Sequence, residues 1–322
     1  AYSGNMWICR QDSATGINAV SNSAVAQKIK NIDDYHLNVT LSGNYDWAAK
    51  YPGTAGNSLL VSIADSATYQ NFAATGTATV SLSGTALTGS GTKFLTELHV
   101  GAIVKKASDG TVIGTVTAIA SDTAATITAA AAALAGVAIK VDWAYYSNFS
   151  SAPATSTYAA NSNASNDELH IIIIDANGTF SGIAGTILEK YEFVSKASDA
   201  RKTDGASNYY KDVINNSSKY IWWGRATSAV GTGTAWGTAA AGSTFKSLTY
   251  SPTSQLSNGL DDYTDAGLYA QAAWLVYLDD TSYDIGLLPL GKATSVTANY
   301  VIQNVCEVRK DCIAFVSPQD NS

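Results

Sequence analysis

Between Glu168 and Asp175 the chain reads Glu-Leu-His-Ile-Ile-Ile-Ile-Asp and then closes on Asn177-Gly178. A continuous apolar run of this length, ended by a turn dipeptide, predicts a strand buried on both faces. Such a strand sits in the middle of a sheet. The rest of the chain must therefore supply neighbours on its edges and a layer over each face.

Several segments are candidates. Leu37-Asn-Val-Thr-Leu41 alternates apolar and polar, as a half-buried strand does, and Ser58-Leu-Leu-Val-Ser-Ile63 predicts a more buried one. Tyr51-Pro-Gly-Thr-Ala-Gly-Asn57 between them is turn-rich. Residues 145–166 predict a long Ser/Ala/Asn loop. Residues 186–199 leave helix and strand both open, because Leu188, Tyr191 and Val194 have helical spacing among β-branched and aromatic neighbours. Residues 208–214 lead into Lys219-Tyr-Ile-Trp-Trp223, another strand, and the uncharged stretch 226–245 predicts a loop. Toward the end, 265–278 is a helix candidate with an acidic first turn, followed by a short strand at Asp284-Ile-Gly-Leu-Leu-Pro289. A second helix spans 296–309, with Val296, Tyr300, Val301, Val305 and Val308 at the 3.6-residue period, before a strand at Cys312-Ile-Ala-Phe-Val316. Strand, helix and strand at this spacing predict a βαβ unit with parallel strands. The expected class is mixed α+β or α/β, a host domain with a mixed sheet.

Residues 72–142 differ in character. Thr77-Ala-Thr-Val-Ser-Leu82 alternates, 84–91 is rich in Gly, Ser and Thr, and Asp109-Gly110 marks a hairpin between Val100-Gly-Ala-Ile-Val104 and Thr111-Val-Ile-Gly-Thr-Val116. Only 129–133 could form a turn of helix. This section predicts a small all-β module inserted into a discontinuous host of residues 1–71 and 143–322, itself one or two subdomains. Flanking segments that resemble hairpin stems would make the module protrude.

Charged residues are only 14% of the chain, 19 Lys+Arg against 26 Asp+Glu, where about 25% is usual. A net charge of -7 argues against a nucleic-acid surface, which needs clustered cations. With 18 Tyr, 7 Trp and 7 Phe there is too much buriable aromatic surface for disorder. No stretch approaches the ~20 apolar residues of a membrane span. Three cysteines, Cys9, Cys306 and Cys312, make no disulfide framework and fit a reducing compartment. A chain starting at Ala1, with Met6 its one methionine, is expected to be an internal fragment or a processed product.

No catalytic constellation emerges. His36, His99 and His170 lie in separate sections, and no metal-ligand or calcium-loop spacing is present. His170, inside the apolar strand, is expected to be a satisfied core imidazole rather than a base. Gly286-Leu-Leu-Pro-Leu-Gly291-Lys292-Ala293 has phosphate-loop spacing, but Ala293 lacks the hydroxyl that ligates Mg²⁺ and Pro289 removes an amide donor. Gly231-Thr-Gly233 with Gly237 lacks a strand-to-helix setting. Asp261-Asp262 and Asp279-Asp280 read as acidic helix termini, and Glu307, Arg309, Lys310 and Asp311 as exposed ion pairs of little weight. No catalytic, cofactor-binding or metal-binding residue is assigned.

Five patches, in order along the chain, carry a resemblance. The first is Lys50-Tyr-Pro-Gly53 with Gly56-Asn-Ser-Leu59, and the second is Asp167-Glu-Leu-His-Ile-Ile. The third is Gly185-Thr-Ile-Leu-Glu-Lys-Tyr-Glu-Phe-Val-Ser-Lys-Ala-Ser-Asp-Ala-Arg201, continuing through Asp204-Gly-Ala-Ser-Asn-Tyr-Tyr-Lys-Asp-Val-Ile to Trp222. The last two are Leu256-Ser-Asn-Gly-Leu-Asp261 and Arg309-Lys-Asp-Cys-Ile-Ala-Phe-Val-Ser-Pro318. Together they resemble contractile tail sheath proteins of T4-like myophages. Residues 72–142 resemble a small β module recurrent in phage structural proteins, through Thr88-Gly-Ser-Gly-Thr-Lys-Phe94 and Val100-Gly101.

The resemblance implies a structural virion protein, assembled in the host cytoplasm, without catalysis or cofactor. Sheath subunits stack as hexameric rings around a tail tube above a baseplate, and contraction drives the tube through the host envelope. Their terminal arms add strands to a neighbour's sheet. Both arms and the tube-contacting C-terminal domain fall outside the matched pattern, so the fragment alone is expected to be a monomer, with the β module on the outer surface of the tail. The rival from another class is a bacterial surface or S-layer-like adhesive protein, which the composition alone allows. An unrecognised hydrolase rests only on His170 and scattered Asp.

Overall fold

A computed structural model describes residues 6–9, 26–29, 46–50, 53–224, 227, 236–259, 271, 274–291 and 293–317. It divides into two compact units, Ala1–Ser42 with Asp261–Ser322 and Gly43–Leu260. The class is mixed α+β, dominated by strands. The elements in chain order are β1 (Met6–Cys9), β2 (Ala26–Ile29), β3 (Trp47–Ala49), β4 (Leu59–Ala64), β5 (Phe72–Ala73), β6 (Thr77–Val80), β7 (Ala86–Ser90), α1 (Phe94–Glu97), β8 (Ile103–Lys106), β9 (Val112–Ser121), β10 (Ala124–Ile127), β11 (Leu134–Val137) and β12 (Ile139–Asp142). They continue with α2 (Thr157–Asn161), β13 (Glu168–Asp175), β14 (Thr186–Ser195), α3 (Tyr210–Ser217), β15 (Ile221–Trp223), β16 (Thr253–Gln255), β17 (Leu287–Gly291), α4 (Ser295–Val301) and β18 (Ile313–Val316).

The apolar run is β13, and it is internal to a four-stranded sheet ordered β14-β13-β4-β16. All three pairings are antiparallel. Its side chains alternate between two cores, as the two-residue period of a strand requires. Leu169, Ile171 and Ile173 join Val61, Ile63, Tyr210, Ile214 and Trp236 on one face. Ile172 and Ile174 join Tyr69, Trp143 and Phe149 on the other. The open helix-or-strand question over 186–199 resolves as strand, because β14 completes a hairpin with β13. On the first face lie α3 and the antiparallel pair β3–β15.

Three expectations need correction. The four-stranded sheet is not mixed, since its strand pairings are all antiparallel. Among the described residues the parallel strand pair is β17 with β18 in the other unit, apart from the isolated parallel bridges Ser165–Thr244 and Ser195–Tyr209. The loop expected over 145–166 contains α2, whose first turn is capped by the Ser156 hydroxyl accepting from Ala159 N–H at 3.1 Å. Residues 129–133 form bends, and the one-turn helix of that section is α1 instead. The strand expected over 37–41 lies outside the described residues. So do most of the helix expected over 265–278, of which Leu275–Leu278 is a 3₁₀ turn, and much of the loop expected over 226–245.

Residues 72–142 supply a separate eight-stranded sheet ordered β11-β6-β7-β10-β9-β8-β12-β5, with every neighbour antiparallel. It has its own core around Phe94, Leu87, Ile113 and Ile139. The turn from β8 to β9 passes through Gly110 at φ +76°, the left-handed conformation that favours glycine. The segments leading in and out are tied together. Trp143 N–H donates to Tyr69 C=O at 3.0 Å, and Asn71 N–H donates to Asp142 Oδ1 at 2.9 Å. Lys105 closes an ion pair on Asp142, while Trp143 Nε1–H anchors to Ser62 Oγ at 2.7 Å in the four-stranded sheet.

In the other unit β1 and β2 pair antiparallel, and β17 and β18 form the parallel strands of a strand–helix–strand unit around α4. The helix runs on from α4 through a π-helical turn, Ile302–Cys306, to Glu307–Arg309. That turn inserts one residue into the helical repeat, so the apolar stripe shifts. Val301 and Val305 are buried, whereas Val296 and Val308, expected on the same face, are exposed.

Because β13 is covered on both sides, Ile171→Ala and Ile172→Ala should each cost about 3 kcal/mol in urea unfolding. Ile183→Ala, at a site 70% exposed, should stay within about 0.5 kcal/mol. A near-neutral Ile172→Ala would mean that the second face is open.

Candidate functional site

The most organised polar cluster is one that the sequence reading missed. Lys196 lies just beyond β14 with its ammonium enclosed, both it and Asp65 having side chains only 1% exposed. Its three protons reach Asp65 Oδ2 at 2.9 Å, Asn166 C=O at 2.9 Å and Lys246 C=O at 3.4 Å, and the Trp236 ring lies 5.0 Å away. Burial pulls the Lys196 pKa down, and Asp65 and Asp167 pull it back up. Asp65 Oδ2 also accepts from Leu248 N–H at 2.8 Å. Asp167 accepts from Ser156 N–H at 2.7 Å, Ser156 Oγ–H at 2.8 Å and Ser195 Oγ–H at 2.6 Å. Every strong donor and acceptor here is used within the protein. The cluster clamps segments together and has no group left for substrate.

A second clamp closes the far end of β13. Burial would raise the Asp175 pKa, but Ser58 Oγ–H, Ser181 N–H and Oγ–H, and Phe180 N–H bind the carboxylate and hold it well below the usual range. Thr179 N–H adds a further bond at 2.9 Å, so the hairpin loop from 177 to 185 folds around one charge.

The histidines do not converge. His170 is fully buried and stacks on Phe149 at 4.2 Å between ring centres. Its Nδ1 accepts from Phe193 N–H at 3.1 Å and its Nε2 bonds to Ser151 C=O at 2.9 Å, an arrangement that sets the Nε2–H tautomer. Phe193, at φ +51°, is the bulged residue of β14, and His170 satisfies the amide that the bulge takes out of the ladder. His99 sits in residues 72–142, where its Nε2 accepts from Ala144 N–H at 3.0 Å. The proton then falls on Nδ1, a buried atom with no hydrogen-bond partner among the described residues. His36 lies outside the described residues.

Of the other sequence candidates, Leu287–Gly291 is strand β17, with Pro289 opposite Phe315, so the phosphate-loop spacing forms no loop. Asp261, Asp262 and Gly231–Gly233 lie outside the described residues. Asp279 caps the turn after it, accepting from Thr281 and Ser282. Arg309 corrects the expectation of exposed ion pairs, because its side chain is 2% exposed. Its guanidinium forks onto Tyr277 C=O, Tyr283 C=O and both oxygens of Asp311. Among the described residues no three His, Cys, Asp or Glu side chains gather as metal ligands, and no helix is long and apolar enough to cross a membrane.

Four of the patches that carry the resemblance meet in space. Lys50 Nζ donates to Asn215 C=O at 3.1 Å and to Ser218 C=O, ending α3, and lies 4.0 Å from the Trp222 ring. Asn57 and Gly259 exchange two hydrogen bonds, of 2.8 and 2.7 Å. A side chain at Gly259 would strike Gly53 C=O, 2.2 Å from a Cβ. Asp167 binds Ser195, next to Lys196. Four patches scattered over some two hundred residues are thus one another's partners.

No family model matches the chain. Among curated proteins it is similar to a tail sheath protein of Salmonella phage ViI, 24% identical over 351 aligned residues, which cover 99% of this chain and 49% of that protein. The chain is thus a distant homologue of a phage tail sheath protein, and it spans about half the length of the curated relative it matches.

Burial depresses the His99 pKa from 6.5 to about 4. Above pH 6.5 the imidazole is neutral whether the chain is folded or not. Between pH 6.5 and about 4 only the unfolded chain takes up the proton, so stability falls across that window by about 3 kcal/mol. His99→Gln should flatten that part of the decline in urea midpoints measured from pH 7 to pH 4. An unchanged slope would mean that His99 is not shielded.

Proposed function

We propose that the chain forms the body of a contractile tail sheath subunit of a T4-like myophage. In that role it surrounds the tail tube and contracts to drive the tube through the host envelope during genome ejection. The carrying observation is similarity to a tail sheath protein along 99% of the chain. The interlocking of these patches through buried and part-buried polar bonds supports it, since these residues hold one framework together rather than form a reaction site. The partners on this reading are other sheath subunits in hexameric rings, the tube and the baseplate, and the subunit resides in the virion tail after assembly in the host cytoplasm. It acts without catalysis, cofactor, nucleic acid or membrane.

The reading includes a division of labour. Residues 1–71 and 143–322 form the sheath body, and 72–142 form a β module of the kind recurrent in phage structural proteins, carried on the outer surface. Its separate sheet and core, joined to the body where Tyr69 and Asn71 meet Asp142 and Trp143, support this division.

The complete gene product should assemble into long hollow tubules in negative-stain electron microscopy, decorated along their outer wall by antibodies against residues 72–142. Planar arrays on a cell surface would support the S-layer-like alternative, and dispersed particles would overturn the sheath reading.

Replacing 74–139 by a short Gly-rich turn keeps the Phe72–Val141 pairing and the Asn71–Asp142 bond. The shortened chain should still unfold cooperatively, with a Tm within about 4 °C of the parent. Loss of the cooperative transition would show that the module is part of the body's core.

A further inference from the structure

The helix that begins at Ser295 ends in a left-handed turn. Lys310 has φ +65°, and its N–H donates to Cys306 C=O at 2.8 Å. This single back-bonded cap reverses the chain within two residues. Cys312 therefore returns against the last turns of the helix, two residues beyond the cap that closes on Cys306. Both side chains belong to the same small core, around Leu288, Leu290, Val301 and Val305. The Arg309 fork onto Tyr277, Tyr283 and Asp311 fixes the turn that holds them. Both thiols are free, but they differ in access: Cys312 is 8% exposed and Cys306 is half-buried.

We infer that Cys306 and Cys312 are a dithiol–disulfide couple, in which Cys306 attacks a small-molecule disulfide such as oxidised glutathione and Cys312 resolves the adduct. The Cys306 thiolate attacks one sulfur of the oxidant, whose S–S bond breaks. One thiolate leaves with the bonding pair and takes up a proton, and a mixed disulfide remains on Cys306. Cys312 then gives up its proton and attacks the Cys306 sulfur, expelling the second small thiol. Two protein thiols and one small disulfide become one protein disulfide and two small thiols, a two-electron exchange. The order follows from access, since a buried thiol does not meet an external oxidant. Burial also pushes the Cys312 thiol up, which lowers its thiolate fraction and makes it the slower of the two toward an external oxidant.

The bond would staple the helix end to the start of β18. The couple uses only residues of this unit and stands or falls independently of the sheath reading.

The test treats the chain carrying Cys9→Ser with oxidised glutathione, alkylates the remaining thiols and digests with trypsin, which cleaves after Arg309 and Lys310. Mass spectrometry should find the peptides of Cys306 and Cys312 joined, and separable by a reducing agent. Cys312→Ser should instead accumulate glutathione on Cys306. Cys306→Ser should leave Cys312 unmodified, with thiol loss at least ~10-fold slower. The inference is overturned if both thiols remain alkylatable in the folded chain. It is equally overturned if glutathione stays on Cys306 while Cys312 is free beside it.

Discussion

The larger unit depends on one buried cation. Lys196 leaves water and meets its match in three acceptors and one ring, drawn from segments near residues 65, 166, 236 and 246. Desolvating an ammonium and a carboxylate together costs about as much as their attraction returns, so the pair adds little net stability. Removing one partner strands the other, at a cost of about 3–5 kcal/mol. The consequence is positional. In this arrangement both charges are satisfied, and their bonds tie the edge of the four-stranded sheet to the chain that covers it.

The sheet's centre was legible because it depends on a local signal. Four consecutive isoleucines between Leu169, His170 and Asp175 leave no face for water, whatever the neighbours. The strand reading of 219–223 and the parallel pairing of β17 with β18 also followed from short apolar runs and their spacing. What escaped was whatever tertiary partners decide. The sequence of α3, Tyr-Lys-Asp-Val-Ile-Asn-Asn-Ser, has weak helical propensity. Its end is held by Lys50, far away in sequence, which donates to the Asn215 and Ser218 carbonyls, and by the Asn215 side chain, which accepts from Trp223 N–H. Val308 lies beyond a π-turn that spacing alone does not reveal. Val296 precedes that turn and, five residues from Val301, lies off the buried face of a regular α-helix.

The clamps were legible in a different sense. Lys50, Asn57, Asp167 and Lys196 all stand in the patches that carry the family resemblance, yet none is singled out for chemistry by its neighbours in sequence. Each is a polar group whose partner lies elsewhere in the chain, so inspection of its own neighbourhood could not reveal its role. His170 belongs with them. Its place in an apolar strand suggested a core imidazole, and the structure supplies the reason, a bulged amide at Phe193 that needed an acceptor.

These internal uses of charge sharpen the meaning of a chain that is only 14% charged. Lys196, Asp65, Asp167 and Asp175 are buried, as is the side chain of Arg309, so the surface is poorer in ions than the composition suggests. A subunit that must slide and rotate against its neighbours gains from such a surface. Each exposed ion pair broken in passing would have to be resolvated, whereas hydroxyl and amide groups exchange partners with water at small net cost. On the sheath reading the charges are kept where they must not move, inside the body.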